Sequence, residues 1–286
     1  MTGDRKRESR DQLLQDGFCR FENVLPPEML GRLRAATDES LSELTEDRKR
    51  DLGGQGSMVG MPYLPAVFSE LIAWPAAIDA LHALGFDRPR YWSAYIIAKE
   101  PNSSASYWHQ DWPYWDHAVS GETEPHQLFL MYYLTDTSRE NGCLRAIPGS
   151  HRRWVPQHDM GGHDEGTRHE DPAASPAYSD SPEQVDLSVK AGDLLVGDAR
   201  ILHAPHANQT DERRTVITMW YLPRFHELPE SMQATFQSQL YMMPPRSLSP
   251  DLLTPIEPLL LDYSGDSEPV EWNRQPGQYL VGAPSR

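Results

Sequence analysis

Hydrophobic residues in this chain follow two different patterns, and the change from one to the other falls near residue 90. Upstream, Leu30, Leu33, Leu41 and Leu44 recur near helical spacing and run down to the charged stretch Glu46 to Asp51, which predicts an amphipathic cover helix. Pro26 and Pro27 precede it; the pair ends the segment before, and Pro27 suits a first helical turn. Phe68 to Trp74 and Pro75 to Leu84 read as two short helices divided by Pro75 and closed by Gly85. Gly17 to Leu25 alternates and predicts a short strand with one polar face. Gly53, Gly54, Gly56 and Gly60 interrupt the pattern without a strand-GxGxxG-helix context or a GK[ST] ending, so they predict a mobile loop, not a phosphate cradle.

From Tyr91 to Lys99 the chain is rich in aromatic and β-branched residues and reads as a strand. An aromatic-then-polar loop over 112–126 leads into the continuous apolar strand Gln127 to Leu134. Further short strands follow at Cys143 to Ile147, Val185 to Val189, Leu194 to Val196, Ile201 to His203 and Thr215 to Tyr221, with turn signals such as Asn141-Gly142 between them. Such spacing predicts a sandwich or barrel and not βαβ units. Residues 155–184 lack periodicity and read as a lid or a disordered excursion. A helix from about Pro229 to Tyr241 and a proline-rich tail that wraps the surface complete a single domain over 1–286, with a helical cover over 26–84, a β core over 91–222 and an extension over 223–286.

Composition narrows the partners. A net charge of −16 and a pI near 5.0 argue against nucleic acid or an anionic membrane, which need a basic surface. Small molecules remain. Cys19 and Cys143 stand far apart without CxxC spacing and read as buried free thiols. The polar start, Met1 to Arg10, lacks a signal peptide's apolar run, and no long apolar stretch occurs, so a cytoplasmic location is expected.

The chemistry begins at Tyr107-Trp108-His109-Gln110-Asp111. On extended backbone, positions i and i+2 point to one side, so His109 and Asp111 can aim at a common point. His203, at the end of an apolar strand, is the best distal partner, and Arg214 follows on the next strand, where a planar guanidinium suits a carboxylate. Two imidazoles and one carboxylate with open positions opposite describe the facial triad of non-haem Fe(II) oxygenases. Such an iron keeps room for a bidentate 2-oxo acid and O₂.

These residues come in a recognisable order: His109-Gln110-Asp111, Arg139 to Leu144, Ile147 to His151, Gly192-Asp193, then His203 with Asn208 and Arg214. Over residues 17–222 this order resembles the phytanoyl-CoA dioxygenase family of Fe(II)- and 2-oxoglutarate-dependent oxygenases. The resemblance implies a mainly β fold with flanking helices, a double-stranded β-helix or cupin-like jelly roll. It implies iron ligation by His109, Asp111 and His203, a grip by Arg214 on the distal carboxylate of 2-oxoglutarate, and a second co-substrate contact from Tyr95. O₂ is then the oxidant, and succinate and CO₂ are released. Arg213, one position off the family spacing and on the opposite strand face, is the rival to Arg214. The chain departs from the family at Pro205, where members often carry a serine near 2-oxoglutarate; Tyr95, Thr218 or water are the candidate replacements. Related halogenases have a small residue where this chain has Asp111, so hydroxylation is expected over halogenation.

Trp112, Tyr114 and Trp115, on a loop beside the metal, read as substrate-lining, with Arg145 and His206 as further substrate contacts, while Trp108 reads as core. His117, His126, His158, His163 and His169 read as solvated, and His151 as part of a structural corner. A zinc hydrolase built on Asp116-His117 lacks the further histidine its motif needs, since Trp115 stands there. A non-catalytic ligand-binding jelly roll is the alternative from another class. It has no need of His109, Asp111, His203 and Arg214 together.

Overall fold

The computed structural model describes residues 3–44, 55–160, 165–239 and 248–283. Nine strands occur among these residues: β1 (Phe18–Phe21), β2 (Ser57–Gly60), β3 (Arg90–Lys99), β4 (Leu128–Tyr133), β5 (Leu144–Ala146), β6 (Val185–Leu187), β7 (Leu194–Asp198), β8 (His203–Pro205) and β9 (Arg214–Leu222). They form two antiparallel sheets, a six-stranded one in the order β1-β7-β4-β9-β3-β2 and a three-stranded one in the order β6-β5-β8. Helices α1 (Gly3–Asp16), α2 (Pro27–Ser42), α3 (Ala66–Ile72) and α4 (Pro75–Ala83) pack on the large sheet, while α5 (Glu165–Arg168) and α6 (Glu230–Ser238) come later in the chain.

The large sheet is buried on both faces, which is why Gln127 to Leu134 reads as an unbroken apolar run. Leu128, Leu130 and Tyr132 of β4 join Ile217, Met219 and Tyr221 of β9 against Leu33, Phe68, Leu71 and Leu81 of the helices. The alternate residues Phe129, Met131 and Tyr133, with Val216, meet Leu144 and Ala146 of the small sheet. Period two therefore sorts each strand into a face toward the helices and a face toward the second sheet. Each such side chain, taken fully out of water, contributes roughly 1.5–3 kcal/mol.

One helix adds to the expected elements, and three expectations change. The polar start of the chain forms α1, anchored by Leu13 and by Gly17, whose φ of +89° ends the helix. The glycine-rich stretch does not remain a loop throughout: Ser57 to Gly60 pair with Tyr95 to Ala98 as β2, because glycine at an edge strand does not prevent pairing. Gly53, Gly54, the run Glu46 to Asp51, His163 and Tyr241 lie outside the described residues. The described parts of 155–184 are packed, with Val155, His158, Ala177 and Tyr178 buried. The tail buries Ile256, Leu259, Leu261 and Leu280 and so closes core clusters instead of only wrapping the surface. Cys19 and Cys143 are buried free thiols, and no helix among the described residues is long and apolar enough to cross a membrane.

Candidate metal centre

His109 and His203 face each other across a reciprocal backbone pair, His109 N–H to His203 O at 3.1 Å and His203 N–H to His109 O at 3.0 Å. Each ring sets its Nδ1 3.0 Å from the carbonyl two residues upstream, Tyr107 O for His109 and Ile201 O for His203. A carbonyl only accepts, which assigns the neutral-ring proton to Nδ1 and leaves Nε2 as a lone-pair donor. Asp111 follows on the same side, its backbone N–H bonded to Ala199 O at 2.8 Å. Its Oδ2 accepts a hydrogen bond from Trp220 Nε1 at 2.8 Å and lies 3.9 Å from His203 Nε2.

One ligand atom from each of His109, Asp111 and His203 falls within 4.8 Å of the others. Two imidazole nitrogens and a carboxylate oxygen converging from one side suit a first-row metal such as Fe(II) with open positions. Among the described residues no other group of three His, Cys, Asp or Glu meets this spacing. Gln110, between the ligand candidates, points the other way and donates to Arg200 O. Arg200 in turn pairs with Asp198 at 2.6 Å and donates to the carbonyls of Ser120 and Glu122, so a buried ion pair braces the turn before His203.

The three residues open on a cavity of about 160 Å³ between the sheets. Its wall includes Arg214, Thr218 and Trp220 of β9, Lys99 at the end of β3, and Pro205. Arg214 is buried and donates through Nη2 to Gly142 O. The Asn141-Gly142 turn brings that carbonyl close: Gly142 has φ +85°, and a Cβ there would sit 2.9 Å from His206 O. Burial pulls the Arg214 guanidinium below its ordinary pKa, opposed by nearby Tyr133 and Cys143. Arg213 turns to the other face, to Glu100 at 2.8 Å and Asp38 at 3.5 Å. A larger concavity of about 1090 Å³ beside α1 and β1 is open and polar and includes none of the three metal-ligand candidates.

Several expected contacts lie elsewhere. Tyr95 stands opposite Thr218 in the β3–β9 register and packs edge-on against the Trp220 ring, but it is not part of the cavity wall. Trp112, Tyr114 and Trp115 do not line the cavity either; they form a separate core with Phe225, Met232, Phe236 and Leu280. The reason is the C-terminal segment, which docks on their loop through Trp115 N–H to Asn273 O at 3.0 Å and Asn273 N–H to Pro113 O at 2.7 Å. Trp108 is core, its indole N–H donating to Ser179 O at 2.8 Å.

Arg145 is also taken out of the cavity. It is fully buried over the Trp108 ring, bonded to Asp180 and to Tyr178 O, both at 2.8 Å. His206 is held by Asp186 at 2.7 Å, and burial lowers its pKa. His126 and His158 are buried, not solvated, and burial depresses the His158 imidazole to about 4. His117 is half-buried and His169 exposed.

Three residues near the site escaped the sequence reading: Trp220, Lys99 and Arg274. Trp220 was signalled by period two from Arg214, which puts 214, 216, 218 and 220 on one face. Arg274, from the tail, reaches to 3.5 Å from Gln110 O and stacks 5.2 Å over the exposed Trp272 ring. Nothing in its local sequence marks that approach.

Comparison with known proteins adds the following. The model of the family described as phytanoyl-CoA dioxygenase (PhyH) matches residues 13–216. The ectoine dioxygenase of Nocardia farcinica is 32% identical over 155 residues, covering 50% of each chain. Phytanoyl-CoA dioxygenase 1 of Oryza sativa subsp. japonica is 31% identical over 168 residues, covering 54% of this chain and 53% of the relative. The matched stretch thus spans about half the length of these curated relatives. Among solved structures, the epimerase SnoN in complex with Fe3+, alpha ketoglutarate and nogalamycin RO superposes with a TM-score of 0.59 at 20% identity, covering 77% of this chain and 84% of that one. EctD from S. alaskensis with 2-oxoglutarate and 5-hydroxyectoine gives 0.54 at 19% identity, covering 75% of each. The double-stranded β-helix, or cupin-like jelly roll, is the shared fold.

Proposed function

The chain belongs to the phytanoyl-CoA dioxygenase family, and from that membership and the site's geometry we propose that it is an Fe(II)- and 2-oxoglutarate-dependent oxygenase. Its organic substrate is a small molecule of the secondary-metabolite or amino-acid-like class, and hydroxylation is the reaction the donor set favours. The observation that carries this reading is the convergence of His109, Asp111 and His203 on a cavity whose wall holds the buried Arg214.

His109, Asp111 and His203 would hold the iron, which when bound supplies the O₂ chemistry that couples 2-oxoglutarate decarboxylation to substrate oxidation. The chain's own residues supply orientation. Backbone carbonyls fix both imidazole tautomers, and the Trp220 N–H donates to Asp111 Oδ2, which holds the carboxylate in place beside the two rings. Arg214 offers a planar fork to the distal carboxylate of 2-oxoglutarate. A cavity of about 160 Å³ is smaller than the ~300–1,000 Å³ typical of ligand sites. It suits a five-carbon diacid, and the organic substrate then meets the iron at the mouth.

Anaerobic addition of Fe(II) and then 2-oxoglutarate should produce a visible metal-to-ligand charge-transfer band, and admission of O₂ should yield succinate. A protein that shows neither under reducing conditions would be a binding module of the same fold.

A further inference from the structure

Lys99 closes β3 directly opposite Arg214 of β9. Directly opposed residues of an antiparallel pair share a face of the sheet, and like charges so placed repel. Here both belong to the cavity wall, with Lys99 1% and Arg214 3% exposed. No carboxylate of the described residues lies within ion-pair distance of either. A buried cation without a counter-ion is costly, and two side by side cost more.

Among the described residues only neutral oxygens answer these charges. Lys99 Nζ donates to Gln55 O at 2.6 Å and to Ser104 O, which uses two of its three protons. Arg214 donates to Gly142 O, while its Nε is buried without a partner. Thr218 Oγ1, on the same wall, is also buried and unpartnered. Pro205 lines the cavity next to this corner and offers no donor. Burial first, then Arg214 and Arg145, hold the Lys99 ammonium well below the ordinary lysine range. The corner is short of one anion and has donors to spare.

We propose that Lys99 is a second cationic anchor for the distal carboxylate of 2-oxoglutarate, acting beside Arg214 where Pro205 supplies no hydroxyl. The inference rests on the reading of the site as a 2-oxoglutarate oxygenase. One carboxylate between ammonium and guanidinium turns a repulsive cross-strand pair into a bridged triplet, leaving one net positive charge in place of two.

The test measures binding, not turnover, on the full chain loaded with Mn(II). Calorimetric affinities of 2-oxoglutarate and of 2-oxopentanoate, which keeps the 2-oxo acid head and lacks the distal carboxylate, are compared for the wild type, Lys99→Met, Lys99→Gln and Lys99→Arg. Lys99→Met and Lys99→Gln should each weaken 2-oxoglutarate roughly ten- to hundredfold while 2-oxopentanoate changes by less than about twofold, the loss expected only of a charged contact to that carboxylate. Lys99→Arg, which keeps the charge, should recover part of the loss. Thermal unfolding identifies any variant that fails to fold, and the remaining variants then carry the comparison. Equal losses for both acids would overturn the proposal and make Lys99 a brace for the Gln55 and Ser104 backbone; so would wild-type affinity in Lys99→Met. A wild type that binds neither acid with metal present would instead sink the oxygenase reading itself.

Discussion

The two faces of β9 are both largely hidden from water, Trp220 alone being half-buried, and do different things. Thr215, Ile217, Met219 and Tyr221 point one way, and the last three join the helices in the main core. Arg214, Val216, Thr218 and Trp220 point the other way, into the cavity beside the triad. The core face is satisfied: its apolar atoms have neighbours, and Tyr221 Oη donates to Ile72 O. The cavity face is not, since Arg214 Nε and Thr218 Oγ1 are buried without partners. Burial alone therefore does not separate core from site. On this one strand, unmet hydrogen-bonding capacity does.

Substitutions on and around the strand can break this contrast, and we order them by expected effect. Asp111→Ala removes the carboxylate that Trp220 orients, and should abolish the charge-transfer band and succinate formation while leaving the unfolding midpoint within a few degrees; retained full turnover would sink the ligand assignment. Met219→Ala, on the core face, should cost about 2–5 kcal/mol of stability in denaturant unfolding and leave metal affinity in the folded protein unchanged. A stability loss under 1 kcal/mol there would erase the distinction between the faces.

Trp220→Phe keeps an aromatic ring but deletes the N–H that reaches Asp111 Oδ2. Such outer-shell losses typically weaken metal binding or activity about 10–100-fold, so Fe(II) titration should show that range with little change in unfolding. An unchanged titration would mean the indole only packs. Smallest is Thr218→Val, nearly isosteric, which removes an unpartnered hydroxyl. It should be neutral or stabilising by about 1 kcal/mol without ligand, and a clear destabilisation would show that the hydroxyl already has a partner.

How much of this was legible depended on whether the signal was local. His109 and Asp111 could be paired from their i, i+2 spacing, and His203 and Arg214 from strand ends and turns, because period two is written in the chain. The parity of β9 was equally readable, so Trp220 was within reach. What could not be read was which surface another segment covers. Trp112 and Trp115 looked substrate-facing because they follow Asp111, yet Phe225, Met232, Phe236, Leu261 and Leu280 seal them into a core of their own. The opposition of Lys99 to Arg214 is a matter of register between strands more than a hundred positions apart, and no local pattern encodes it. Ser57 to Gly60 became a strand only because β3 offered an edge.

The reciprocal pair between His109 and His203 has a kinetic consequence. The two rings are brought together across the whole stretch from 110 to 202, so the metal position exists only after the long excursion between them has closed and both sheets have met. Closing such a span delays non-local pairing relative to local structure during folding. Iron uptake by refolding chains should then lag the recovery of secondary structure, and the ion would count only molecules that have finished.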